Sequence, residues 1–366
     1  MEKKVQRESN IELLRIVMML VIIAHHYVVN SGLSDCFEST NIHINTIWYQ
    51  LIGGGGKTAI NVFLIISGYF MCNSKVALKK WVQLFLELCF YKIIINVLFL
   101  VAGYHPFGLL SVIKDMIPVF LGLKTGNDSF MSLYMVLFLV IPFANKMIKN
   151  LTKAQHGILL GILLVTFSFT TTFLFQENWE GLGWYVTMYL LGAYLKRYPC
   201  KKLDNFKTGL CLSVVMLALY VLEILVVDFV GVKVGYFGYW HIFTAANSTG
   251  AVVTSAALFI LFKNMHIKNS KFINTVSSTT LGVLLIHANG AAMRNWLWVD
   301  LLKNKTMYEA PIVTVIIHSV LSVLGIYVIC VIIDLARKKF LEKPVMKYMD
   351  KCRWAKIELY EKTEEA

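Results

Sequence analysis

The sequence predicts an all-α integral membrane protein of about ten transmembrane helices with both termini in the cytoplasm. Three observations carry that prediction: the apolar composition, the recurrence of apolar runs long enough to cross a bilayer, and the alternation of positive charge between loops. Of 366 residues, 57% are hydrophobic and 16% charged, where an average soluble domain has roughly 45–50% and 25%. The solvent for most of this chain is therefore lipid.

Apolar runs suited to a hydrocarbon core of ~30 Å place spans at about 11–30, 47–72, 82–103, 128–148, 154–175, 182–198, 206–230, 243–262, 279–299 and 311–335. The first run carries Arg15 and lacks a small-residue cleavage site before Ser31, so it reads as a retained span and not a signal peptide. Lysine and arginine collect in short cytoplasmic loops, which tests the assignment. With the N-terminus inside, 26 of the 35 basic residues fall on inner loops and tails, seven fall outside, and Arg15 and Lys92 lie within spans. Every inner loop outweighs its outer neighbours, and a missed or invented span would break that alternation.

The formal charge of +13 is spread in short clusters between apolar runs. Anionic lipid on the inner face, not nucleic acid, is the partner such a distribution suits. The membrane domain covers 1–340, and 341–366 is a charged cytoplasmic tail that begins at Lys343-Pro344 and reads as a short helix. The segment 104–127, with Lys114, Asp115 and Pro118 interrupting its apolar stretch, reads as an outer loop with an interfacial or re-entrant helix. Gly53-Gly54-Gly55-Gly56-Lys57-Thr58 imitates a phosphate loop, but Leu51 stands where the leading glycine is required and no strand precedes it. It is expected to be a flexible outer loop.

Ionisable groups inside a membrane are costly, by ~2.5–3.5 kcal/mol each on insertion scales, and mark functional sites. The first span holds the densest group: Glu12, Arg15, His25 and His26. At 100° per residue, His26 returns to within about 20° of the direction of Arg15 and lies roughly 16 Å along the axis, whereas His25 is displaced by about 80°. Glu12 stands one turn before Arg15, at a spacing where a carboxylate can orient a guanidinium. Arginine is permanently charged and suited to phosphate oxygens. Histidine exchanges a proton near neutral pH, as transfer to a hydroxyl requires. The plainer alternative is that Arg15 snorkels to the inner interface while the histidines bond neighbouring helices. Glu87 and Lys92 are five apart, too far round the helix to meet, and Glu87 is a candidate neighbour of the first-span cluster.

The run Asn10-Ile-Glu12-Leu-Leu-Arg15, ten residues and then His26 resembles the opening motif of the acyltransferase family 3 membrane proteins. Asn61 to Phe70, with Ser67-Gly68-Tyr69, is similar to that family's second-span segment. Leu281-Gly282-Val-Leu-Leu-Ile-His287 is similar to its late glycine-to-histidine segment, with Val283 where tyrosine is usual. Ser132-Leu-Tyr134 and Leu190-Leu-Gly192-Ala-Tyr194 are weaker echoes, and the likeness runs over about residues 8–340. The family's basic pair after the second span is represented by Lys79 and Lys80.

The resemblance implies transfer of an acyl group, usually acetyl from cytoplasmic acetyl-CoA, to a hydroxyl of a cell-envelope carbohydrate or lipid-linked sugar. It implies His26, Arg15 and Glu12 as the catalytic group, with Ser67, Tyr69, Lys79, Lys80 and His287 binding substrate or donor. Gly68 suits close helix packing, while Trp184 and Tyr185 are candidates to line a substrate path. No metal, haem or dinucleotide fingerprint occurs, and no His-x-x-x-x-Asp acyltransferase motif. A carrier or flippase for a lipid-linked sugar, with the same charges lining a pathway and no acyl chemistry, is the alternative.

Overall fold

The computed structural model describes residues 7–37, 42–104, 110, 129–175, 180–234 and 242–359. The chain is helical throughout these residues, with no strand beyond an isolated bridge between Ala77 and Glu358. Most of segment 104–127 lies outside the described residues.

Among the described residues, seven helical stretches are long and apolar enough to cross a membrane: Ser9–Val29, Ile44–Met71, Leu78–Val101, Phe130–Asn150, Lys153–Leu174, Phe206–Lys233 and Ile312–Met349. Spans expected at 182–198 and 243–262 form shorter helices, Leu182–Arg197 and Thr249–Lys263. The expected span 279–299 is broken. It runs as Thr280–His287, then Gly290–Arg294, then a π-helical turn Asn295–Leu301. Gly290 has φ +67°, a left-handed conformation that glycine adopts at no steric cost. The Asn289 side chain caps the break by donating to the Leu285 carbonyl at 2.9 Å.

In chain order we label α1 (Ser9–Val29), α2 (Ile44–Gly53), α3 (Gly56–Met71), α4 (Leu78–Val101), α5 (Ser129–Asn150), α6 (Lys153–Leu164), α7 (Leu182–Arg197) and α8 (Phe206–Val234). There follow α9 (Thr249–Lys263), α10 (Lys271–Ser277), α11 (Thr280–His287), α12 (Gly290–Arg294), α13 (Ile312–Arg337) and α14 (Lys343–Met349). Helix α6 begins at a capping box, in which Thr152 and Gln155 each satisfy the other's backbone N–H. It then loosens into π-helical turns over Val165–Phe169 and Thr171–Phe175. There Thr170, Thr171 and Thr172 donate back to the carbonyls of Thr166, Phe167 and Ser168, a competition that disturbs the helical ladder.

Helix α1 is the axis of the bundle, packing against α2, α3, α9, α10, α11 and α13. Its buried Ile11, Leu14, Met18, Met19, Ile22 and Ile23 recur at the three-and-four spacing of one helical face. On α8 the leucines and valines at 210, 214, 217, 222 and 225 face outward. In water such a surface would be an aggregation liability, whereas against lipid it matches its solvent.

Helices α3 and α7 pack backbone to backbone. A Cβ on Gly68 would stand 2.0 Å from the Tyr189 carbonyl oxygen, and one on Gly192 would stand 2.2 Å from that of Ile65. These two glycines let the backbones touch, which is the small-residue packing that lipid favours. Gly192→Leu should therefore cost ~3 kcal/mol or more through overpacking. The expected result is a drop in detergent melting temperature and in membrane yield, and unchanged melting would remove the argument.

Glu87 is not a neighbour of the first-span cluster. Its Oε1 accepts from Arg337 Nη2 at 2.8 Å, and Arg337 also reaches Asp334 at 2.7 Å and Glu342 at 2.8 Å. Tyr91 donates to Asp334 at 2.7 Å. This buried network joins α4 to the end of α13, each charge offset by an opposite partner. Beyond α14 the tail folds back on the start of α4. Leu78 N–H donates to Ile357, Leu359 N–H donates to Val76, and Lys75 pairs with Glu358 at 2.9 Å.

The glycine run is a tight joint, not a flexible loop. Gly53 ends α2 and Gly56 begins α3. A Cβ on Gly54 would collide with the Tyr220 hydroxyl, and one on Gly56 with the His25 ring. Their φ angles of −77° at Gly54 and −74° at Gly55 are ordinary for any residue, so space, not backbone freedom, demands glycine there.

Candidate active site

His25 and His26 lie near the end of α1, one turn before its C-cap Asn30. The helical phase separates their tasks. His25 turns to the joint, with Nδ1 2.5 Å from the Gly53 carbonyl oxygen. His26 turns to the last residue of α11, with Nδ1 3.0 Å from His287 Nε2. His287 is fully buried and its Nδ1 lies 2.6 Å from the Val283 carbonyl oxygen.

That carbonyl can only accept, so it fixes every proton in the chain of contacts. His287 must carry its hydrogen on Nδ1 to donate to Val283, which makes its Nε2 an acceptor. His26 then donates through Nδ1, and the lone pair of His26 falls on Nε2. Neutral imidazoles in this order present one basic nitrogen, the arrangement a general base needs. Trp298, buried, meets the His287 ring edge-on at 6.5 Å between centroids.

His26 lines a cavity of about 220 Å³ together with His25, Asn30, Lys57, Lys92, Asn289 and Arg294, among apolar neighbours such as Ile22, Leu88 and Leu284. Lys57 is the second residue of α3 and pairs with Glu180 at 2.6 Å. Glu180 in turn accepts from the Ala246 N–H at 2.7 Å. Arg294 ends α12, and the break at Ala288–Gly290 is what turns that short helix towards the cavity.

Arg15 sits eleven residues earlier on α1, and its buried Nε has no hydrogen-bond partner. Glu12 does not support it as one-turn spacing suggested. The Glu12 carboxylate accepts from Ser277 Oγ at 2.5 Å and faces Arg7 at 3.9 Å. α1 and α3 run antiparallel with His25 against Gly56. Ten residues along each helix, ~15 Å, therefore bring Arg15 and the Ser67 region to a similar depth. Ser67 donates to the Phe63 carbonyl at 2.9 Å and contacts the Tyr134 hydroxyl at 3.0 Å. Tyr69 packs against Phe259, with Lys196 Nζ 4.4 Å and Lys263 Nζ 5.5 Å from its ring centre.

The expected site residues thus divide into two groups: His26 at the cavity with His287 buried behind it, and Arg15, Ser67 and Tyr69 nearer the opposite end of α1. Lys79 and Lys80 belong to neither. Lys79 is paired with Asp350 of the folded-back tail, and Lys80 is exposed. Trp184 donates to Asn61 at 3.0 Å and is fully buried, and neither it nor Tyr185 lines the cavity. Sequence reasoning did not name Lys57, Lys92, Arg294, Asn30 and Asn289 as one group. The signal was the presence of Lys92 and Arg294 in or beside apolar runs, where a charge needs a reason.

No curated protein and no solved structure is significantly similar to the chain. Residues 8–334 match the acyltransferase domain profile, which takes in both histidines, Arg15 and every cavity residue named above. A match over nearly the whole chain makes this protein a member of acyltransferase family 3.

Proposed function

We propose that this membrane acyltransferase moves an acetyl group from cytoplasmic acetyl-CoA to a hydroxyl of a cell-envelope carbohydrate or a lipid-linked sugar. The observation that carries the reading is the ordered contact from Val283 through His287 to His26, which leaves the lone pair on His26 Nε2 at the cavity. His26 Nε2 takes the acceptor's hydroxyl proton as its oxygen attacks the thioester carbonyl. The tetrahedral adduct collapses, the C–S bond breaks, and the thiolate receives that proton back from His26. The ester and free CoA result, with the base restored.

Arg15 suits the donor. Its guanidinium is permanently charged, carries an unpartnered buried nitrogen and lies ~16 Å from His26 along the helix. CoA phosphates at that end would let the pantetheine arm extend towards the histidine. Ten membrane crossings with both termini in the cytoplasm, in the cell membrane, complete the proposal. The charge sorting supports them, with the three shorter or broken helices counted as crossings. The Arg15 end then faces inward and the His26 cavity outward.

Membranes containing the full chain should consume labelled acetyl-CoA, and deletion of the gene should remove one acetyl mass from a surface glycan. Vesicles that move a sugar without acetyl-CoA, with no glycan altered by deletion, would support a carrier instead. Arg15→Lys keeps the charge and loses the planar fork, so its KM for acetyl-CoA should rise about tenfold, ~1.4 kcal/mol, with a smaller change in kcat. A variant whose kcat falls at unchanged KM would place Arg15 in the chemical step and away from donor binding.

A further inference from the structure

A second cavity adjoins the first. It measures about 230 Å³ and is walled by Val28, Val29, Phe37 and Tyr49 over a floor of Gly53 and Gly54, in the groove between α1 and α2. His25 and Val29 line both cavities, and helical phase explains the sharing. Taken from the direction of His25, Val29 stands about 40° round α1, His26 about 100°, and Val28 about 60° the other way. His25 and Val29 therefore form a ridge, with His26 on one slope and Val28 on the other. The His25 ring is held in place by the Gly53 carbonyl at 2.5 Å and by close packing against Gly56. Val29 is 44% exposed, so the ridge is open at its crest. The slopes differ in chemistry: lysine and arginine side chains line the His26 side, whereas among the described residues no lysine, arginine, aspartate or glutamate lines the Val28 side.

We propose that the acceptor is amphiphilic, and that its hydrocarbon chain lies in the pocket between α1 and α2 while its sugar hydroxyl meets His26 Nε2. This rests on the acyl-transfer reading above. Position assigns the pocket to the acceptor and not to the donor. Its walls begin at Val28 and continue to Phe37, beyond His26 and away from Arg15, from whose end CoA would reach the histidine. Size agrees. At about 220 and 230 Å³ neither cavity reaches the ~300 Å³ of a site that encloses a drug-sized ligand, and the two together pass it. An apolar cavity of about 150 Å³ binds benzene, so a chain of roughly six carbons fits in the second. Each methylene moved there from water should tighten binding about fourfold when fully buried, and the ridge at His25 and Val29 then fixes how far the sugar stands from the chain.

The test uses the full chain in lipid nanodiscs and two probes, the hexyl and methyl glycosides of N-acetylglucosamine, with binding to empty nanodiscs subtracted. The hexyl glycoside should bind at least tenfold tighter. Ser34 lines the pocket and is exposed, so Ser34→Trp places a ring at its mouth and should cut the preference to below twofold at an unaltered melting temperature. Ser34→Leu, a smaller plug, should lower it partway, and Ser34→Ala should keep it. Equal affinity for the two glycosides in the wild type, binding of neither, or a full preference in both plugged variants overturns the proposal. So does a wild type that consumes hexanoyl-CoA as fast as acetyl-CoA while Ser34→Trp consumes acetyl-CoA alone, which would give the pocket to the donor's acyl chain. Acetyl-CoA consumption with each glycoside is measured in parallel. Consumption without chain preference removes the apolar site alone, whereas chain preference without consumption keeps the site and removes the acyl-transfer reading.

Discussion

His26→Ala is expected to lower acyl transfer by about 10²–10⁴-fold, the range a positioned general base contributes, with the protein still inserted in the membrane. The expectation follows from a single nitrogen. His287 donates to Val283 and accepts from His26 Nδ1, which leaves His26 Nε2 basic. The Gly53 contact leaves His25 Nε2 basic as well, and it is the relay through His287 that singles out His26. The measurement is labelled acetyl-CoA turnover in membranes, normalised to protein by immunoblot. His25→Ala serves as the comparison, because it removes an equal ring one position away. Its loss should appear as lowered melting temperature, since that ring fills the space which Gly56 leaves open. Equal turnover in His26→Ala and wild type would take the residue out of the mechanism.

The site was legible in the sequence along its first helix by period, and at His287 by the likeness of its segment to the family's. The 3.6-residue period put Arg15 and His26 on one face and His25 off it, and the structure separates the two histidines in that way. Contacts across long separations were not legible. His287 is 261 residues from His26, Ser277 is 265 from Glu12, and Arg337 is 250 from Glu87. Nothing in local composition announces those pairings. The sequence showed Glu87 and Lys92 as costly charges and pointed Glu87 to the first-span cluster, whereas the structure gives it Arg337, and Glu12 found its partner on α10 and not one turn along α1.

Apolar runs misled where a helix must break. The stretch around Leu281–Trp298 is hydrophobic enough to look continuous, yet Asn289-Gly290 stops it. That stop both ends α11 at His287 and brings Arg294 to the cavity. The adjacent Asn and Gly were the available turn signal. Four consecutive glycines suggested looseness for the opposite reason: composition reports what glycine permits, while Tyr220 and His25 decide what the site requires.

The second large effect is expected at His287, a positioning residue that acts through His26. In His287→Ala, the Nδ1–H of His26 loses its acceptor, and the imidazole can carry its proton on Nε2 instead, where it cannot take a hydroxyl proton. A wrong tautomer with otherwise intact geometry costs up to ~10⁴-fold in the Ser-His-Asp template. A loss of about 10²-fold or more is expected here, where a neutral imidazole replaces the aspartate of that template and holds the tautomer less firmly. His287→Gln offers a side-chain carbonyl in place of Nε2 and should recover a good part of the loss, since one acceptor is all that His26 asks of its partner. Nitrogen-15 spectra of labelled histidine read the proposed cause directly: His26 should be protonated at Nδ1 in the wild type and in His287→Gln, and shifted towards Nε2 in His287→Ala. A structural role alone would lower the melting temperature of both variants alike and leave the His26 tautomer where it was. Equal turnover of the alanine and glutamine variants, with an unmoved spectrum, would separate His287 from the chemistry and return it to packing against Trp298.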